Sequence, residues 1–130
     1  MTATIVVTDY DFGNLSIESA VLDDANADVK LRGEYARTPG EVIDVAEGAD
    51  ALLVQYADVT DEVFEALPDL QAVGRYGIGV DSIDVDAAAD HGVPVVNVPD
   101  YCTEEVPTHT LALLLACVRK VPSYDRALKG

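Results

Sequence analysis

Apolar positions come in short unbroken runs along this chain. Ile5-Val6-Val7 ends at Asp9, Ala51-Leu52-Leu53-Val54 ends near Gln55, and Leu70 to Val73 and Val93 to Val98 complete the set. A weaker run lies around Asp28 to Gly33. Continuous rather than alternating apolar positions predict strands buried on both faces of a parallel sheet. The stretches between them read as helices. Thr38-Pro39-Gly40-Glu41 is a capping box with proline at the first helical position. Behind it Val42, Val45, Ala46 and Ala49 form one helical stripe. Thr60 followed by Asp61 and Glu62 is a second start, with acids where the helix dipole favours them. Asp84 is placed to cap a short helix through Ala87-Ala88-Ala89 that Gly92 ends. Asn14 or Ser16 opens a helix carrying Ile17, Ala20 and Val21, and Thr103 opens the last and longest, to about Lys120.

Strand and helix thus alternate five times. That order predicts an α/β fold, a flavodoxin-like doubly wound five-stranded parallel sheet of order 2-1-3-4-5 with a long C-terminal helix. Ligands in such sheets bind at the carboxyl ends of the strands. The loops there are Asp9 to Asn14, Gln55 to Asp58, Arg75 to Asp81 and Pro99 to Thr103. Leu111 to Val118 is apolar all the way round, and one sheet can cover only one face of it. The other face needs a second domain or a second subunit, and a homodimer through residues about 103–120 is the favoured expectation.

Composition sharpens this picture. At 130 residues with 49% apolar content, the chain is one domain with a real core, which excludes disorder. Two cysteines exclude a disulfide-built scaffold and suit a reducing cytoplasm. The longest apolar run, eight residues, is too short to span a bilayer, and Met1 to Thr4 carry no basic segment of a signal peptide. Charge is the unusual quantity: 24 acids against eight cations give −16, with sixteen Asp and only three Lys. No cationic stripe is available for nucleic acid or an anionic membrane. A surface this acidic repels itself unless salt screens it, so a salt-adapted (halophilic) protein is expected.

The loop Gly74-Arg75-Tyr76-Gly77-Ile78-Gly79-Val80-Asp81 is the most informative site. Its glycines allow a sharp turn, and successive amides beside Arg75 would form an anion nest for a carboxylate or phosphate. A turn needed only to leave the strand accounts for the same residues. A dinucleotide fingerprint does not, since Ser82 stands where the third glycine belongs. Asp9, Asp11 and Asp58 fall at neighbouring strand ends, as in a Mg²⁺-binding phosphoryl receiver, but Asn97-Val98-Pro99-Asp100 lacks the required lysine. Cys102 near a helix start, with His109 seven residues on, offers a nucleophile or metal site without an orienting acid. His91 beside Gly92 reads as a helix end. No metal site is expected.

From about Leu70 onward the chain resembles the D-isomer-specific 2-hydroxyacid dehydrogenase family. The resemblance rests on Gly74 to Asp84, Ala87-Ala88, Gly92 to Pro99, and His109 through Ala116 to Arg119. Pro99-Asp100-Tyr101-Cys102-Thr103-Glu104-Glu105-Val106 is most similar to the branch that includes C-terminal-binding proteins. The resemblance implies a flavodoxin-like substrate-binding domain over 1–101 and an interdomain or dimerisation helix over 102–130, partnered by a Rossmann NAD-binding domain that this sequence does not contain. It implies that the amides of Ile78 and Gly79 hold the substrate carboxylate, with Arg75, Gly77, Gln55 and Tyr56 around it, and that Ile78 and Val106 border NAD. The family's catalytic arginine, acid and histidine follow a later glycine fingerprint, so no residue here inherits a catalytic role. The expectation is the N-terminal part of an NAD-dependent oxidoreductase for a small 2-hydroxy or 2-keto acid, inactive by itself. A non-catalytic, corepressor-like binding module of the same fold is the alternative. Gln55 and Tyr56 stand where the phosphoglycerate branch carries an arginine, which argues against that substrate.

Overall fold

The computed structural model describes residues 2–130, in two compact units that divide between Pro99 and Asp100. In the first unit five strands, β1 (Ala3–Val7), β2 (Val29–Gly33), β3 (Ala51–Val54), β4 (Ala72–Arg75) and β5 (Val95–Val96), form a parallel sheet of order β2-β1-β3-β4-β5. The helices of this unit are α1 (Ser16–Asp24), α2 (Pro39–Val45), α3 (Asp61–Ala66) and α4 (Val85–Asp90). The expected topology is therefore the observed one. Two strands differ in extent: β4 starts two residues later than the Leu70–Val73 run, and β5 keeps only Val95 and Val96 of its six-residue run. Leu70 is instead buried in the core beside Leu67, ahead of the strand.

Burial follows one face of the sheet more than the other. Val6, Leu52, Val54 and Val73 are fully buried with Val42, Val63, Phe64 and Ala88 from α2, α3 and α4. On the opposite face Val7 is buried but Ile5 and Leu53 are only half-buried, and Ile17 and Val21 of α1 are 75% and 61% exposed. The continuous apolar runs led us to expect burial on both faces; in this unit the α1 side is left thinly covered, because α1 contributes no buried residue.

The caps show why the helices start where they do. Thr38 Oγ1 accepts from the Glu41 amide (3.4 Å) while the Glu41 carboxylate accepts from the amides of Thr38 and Arg37, both at 3.0 Å. Those bonds, Thr38's first, hold the Glu41 carboxyl below its ordinary range. Asp84 Oδ1 accepts from the Ala87 amide at 2.9 Å and starts α4. Thr60 precedes α3 without a side-chain cap bond. Asn14 takes the Ser16 amide, and Leu15 occupies the cap position of α1. His91 does end α4, and its ring also joins α4 to α3: Nε2 lies 3.0 Å from Asp61 Oδ1, and the ring stacks 5.9 Å from Phe64.

The second unit is α5 (Glu105–Val118) and α6 (Val121–Lys129). α5 starts two residues after Thr103 and stops close to the expected end. α6 is an addition that the apolar pattern did not announce. Lys120, at φ 54°, takes the left-handed conformation between the two helices. Neither helix has a buried residue, and Leu111, Leu113, Leu114, Leu115 and Val118 are all more than half exposed.

Candidate functional site

The strand order reverses between β1 and β3, so the loops leaving their carboxyl ends flank the natural crevice of the sheet. Asp9 organises this place. It follows β1, is fully buried, and its carboxylate accepts the backbone amides of Gln55 (3.0 Å), Tyr56 (2.8 Å) and Ala57 (3.3 Å). The hydroxyl of Thr8, also buried, donates to it at 3.0 Å. One carboxylate thus shapes the whole turn after β3.

Above that turn Gln55 and Asp11 bond twice: the Asp11 amide donates to Gln55 Oε1 (2.9 Å) and Gln55 Nε2 donates to Asp11 Oδ1 (2.7 Å). The Tyr56 hydroxyl donates to Asp11 Oδ2 at 3.4 Å. Arg37, arriving from the loop between β2 and α2, sets its Nε 3.6 Å from Asp9 Oδ2. Its guanidinium stands over the Tyr56 ring at 4.7 Å and near the Tyr35 ring at 5.6 Å.

The glycine-rich loop leaves β4 beside this cluster. Arg75 Nη1 donates to the Tyr76 carbonyl, so the side chain folds back over its own loop. A Cβ on Gly77 would displace the tip of the Arg75 side chain, and the φ of 146° at Gly77 is what requires glycine there. The Gly77 carbonyl accepts the Val98 amide (3.0 Å) and the Ile78 carbonyl accepts Asn97 Nδ2 (2.7 Å), which fastens the loop to the segment after β5. Among the described residues no acceptor takes the amide hydrogens of Ile78 or Gly79. The Tyr76 hydroxyl donates to Glu18 Oε1 at 3.0 Å; burial first, then Glu18, pushes its ionisation well above the ordinary tyrosine range.

The structure therefore brings Gln55 and Tyr56 together with Arg37 after β3, and Arg75, Gly77, Ile78 and Gly79 together after β4. The aspartates read as a receiver trio have separate tasks. Asp9 is spent on amides, Asp11 on Gln55 and Tyr56, and Asp58 is exposed. Cys102 lies ahead of α5 at φ 55°, its carbonyl accepting the Val106 amide. Val106 and His109 border an open recess along α5. Among the described residues, no three His, Cys, Asp or Glu side chains are grouped to hold a metal. Sequence reasoning missed Asp9 as the organiser and Arg37 altogether. The available signal for Asp9 was its place directly after an apolar strand, shared by no other aspartate among the first fifty residues.

Residues 5–121 match the sequence profile of the D-isomer specific 2-hydroxyacid dehydrogenase catalytic domain. The chain belongs to this family. Within it, the D-3-phosphoglycerate dehydrogenase of Mycobacterium tuberculosis is 49% identical over 82 residues, 62% of this chain and 16% of that protein. The crystal structure of the TT0316 protein from Thermus thermophilus superposes with a TM-score of 0.72 at 28% identity, covering 95% of this chain and 40% of that one. The D-lactate dehydrogenase of Aquifex aeolicus, solved with NAD and lactic acid, shares the fold with a TM-score of 0.72 at 23% identity over 97% of this chain and 37% of that one. The chain thus spans 16% of the curated dehydrogenase and at most 40% of these structures.

Proposed function

We propose that this 2-hydroxyacid dehydrogenase domain holds the carboxylate of a small 2-hydroxy or 2-keto acid for hydride exchange with NAD(H). The observation that carries the reading is the pair of unclaimed amides, Ile78 and Gly79, at the carboxyl end of β4. Two adjacent N–H groups with no acceptor form an anion-binding concavity. Arg75 serves as its brace: it is bonded to the Tyr76 carbonyl and lies against Gly77 within the same loop. Gln55 and Tyr56 flank the acid from the end of β3.

NAD(H) supplies the hydride when bound. What supports this reading is that Ile78 and, taken by itself in the second unit, Val106 are exposed apolar side chains, the positions that border NAD in the resembling family; Gly77-Ile78-Gly79-Val80-Asp81-Ser82 lacks the third glycine of a pyrophosphate cradle. The phosphates then fall to a nucleotide-binding domain outside these 130 residues, together with the proton-transferring groups. Gln55 and Tyr56 carry no charge, and the Arg37 guanidinium over Tyr56 is already faced by Asp9, so an unphosphorylated acid is the favoured substrate.

The test is a titration of the 130-residue chain with pyruvate and glyoxylate, read by amide chemical shifts. Ile78 and Gly79 should move saturably, and no turnover should occur with NADH. Stationary Ile78 and Gly79 amides would refute the carboxylate site; turnover by this chain would refute the division of labour. We also propose self-association through residues 103–120 in a cytoplasmic setting, supported by the exposed leucines of α5. Light scattering in high salt that finds only monomers would remove it.

A further inference from the structure

We propose that Arg37 is a specificity-determining residue that receives a second carboxylate of the substrate, making 2-keto dicarboxylates the preferred ligands. This rests on the carboxylate site proposed for Ile78 and Gly79. Arg37 is held at three points. Its Nε faces the buried Asp9 at 3.6 Å, its guanidinium covers the Tyr56 ring at 4.7 Å, and Tyr35 closes the other contact at 5.6 Å. The side chain is nevertheless 40% exposed, and neither Nη group donates a hydrogen bond to any described residue. A guanidinium fixed at its root and free at its fork is preorganised for a planar, bidentate acceptor.

Its location fits a substrate held at the glycine-rich loop. Arg37 lies over Tyr56, just past the end of β3. Val54 of β3 pairs with Arg75 of β4, and the Val54 carbonyl accepts the Tyr76 amide at 2.8 Å. Adjacent strands stand about 4.8 Å apart, so the two loops are neighbours at one end of the sheet, and a diacid whose carboxylates are separated by a short chain is the ligand class that would bridge them.

The surrounding charges argue for a carboxylate rather than a phosphate. Asp9 already balances Arg37 from behind. Asp11 is engaged by Gln55 and Tyr56, and Glu41 by the backbone amides of Arg37 and Thr38, so neither competes for the fork. All three still add negative potential, which a singly charged group tolerates better than a doubly charged one.

The experiment compares 2-oxoglutarate with 2-oxovalerate, which differ in a terminal carboxylate for a methyl, by amide shifts of the whole chain at one fixed salt concentration. Wild type should bind the diacid about tenfold more tightly. Arg37→Gln should erase that preference while 2-oxovalerate still moves Ile78 and Gly79; Arg37→Lys should keep part of it. Equal affinities in wild type, with both ligands moving those amides, would overturn this inference alone. If neither ligand moves them, the carboxylate site itself fails and takes the inference with it. Should both arginine variants lose both ligands, Arg37 is a structural partner of Asp9 only, and the inference is overturned. Tighter binding of the corresponding phosphonate would overturn the assignment to a carboxylate.

Discussion

Replacing Asp9 by alanine tests the reasoning most severely. The substitution removes the acceptor of three backbone amides and of the Thr8 hydroxyl, and leaves the Arg37 guanidinium without its counter-charge. Each buried donor left without an acceptor costs about 1–3 kcal/mol, and breaking a buried charge pair costs about 3–5 kcal/mol. These terms overlap, because Arg37 is partly exposed and the loop after β3 can relax toward water. A net loss of about 4 kcal/mol is expected, a large share of the roughly 5–15 kcal/mol that holds a typical domain together. In thermal unfolding this corresponds to a drop of about 15 °C. The assay is urea unfolding by circular dichroism in concentrated KCl, with the midpoint falling and the slope unchanged. Asp11→Ala is the control: its bonds are exposed, and a loss within about 0.5 kcal/mol is expected. A small loss for Asp9→Ala, comparable to that of Asp11→Ala, would refute the claim that one carboxylate organises the site.

Gly77→Ala should abolish the Ile78 and Gly79 response to pyruvate, since the added Cβ displaces Arg75 and opposes φ 146°; an unchanged titration would show that the brace is dispensable. Salt should stabilise the chain: with 24 acids against eight cations, melting is expected to rise between dilute buffer and about 2 M KCl, and equal melting temperatures would end the salt-adapted reading. Glu41 has a lowered folded-state pKa, so its contribution is present above the ordinary carboxylate range and lost as pH falls through the folded value. Glu41→Gln should therefore flatten part of the acid limb of stability, checked by unfolding across pH 2–6; parallel acid limbs would contradict it. Tyr76 should ionise above the ordinary tyrosine range, and Tyr76→Phe should remove that late step from an absorbance titration.

The strand and helix rhythm was legible because apolar runs and caps act locally. The Thr38 box and the Asp84 cap need only three residues of context, and the topology follows from five repeats of one motif. The rest depended on distant partners. Asp9 differs from fifteen other aspartates only in where the end of β1 lands relative to a turn 46 residues away. His91 finds Asp61 across 30 residues, which no helix-end signal announces. Arg75 sits in the glycine-rich loop as expected, yet its direction, folded back on Tyr76, is set by the missing side chain at Gly77. The start of α6 escaped because Lys120 terminates α5 by adopting a left-handed conformation, which lysine seldom shows.

Arg75 and Gly77 also limit how this loop can drift. The long side chain at one position occupies the volume that any side chain at the other would need. Shortening position 75 would vacate that volume, but the backbone angle at 77 would still demand glycine, so the first change cannot license the second. Position 77 is thus held by its own backbone angle, whereas position 75 is held only by its task as a brace. The order of permitted substitutions runs one way, and a lineage that lost Gly77 would have to rebuild the turn before it could regain a use for the arginine.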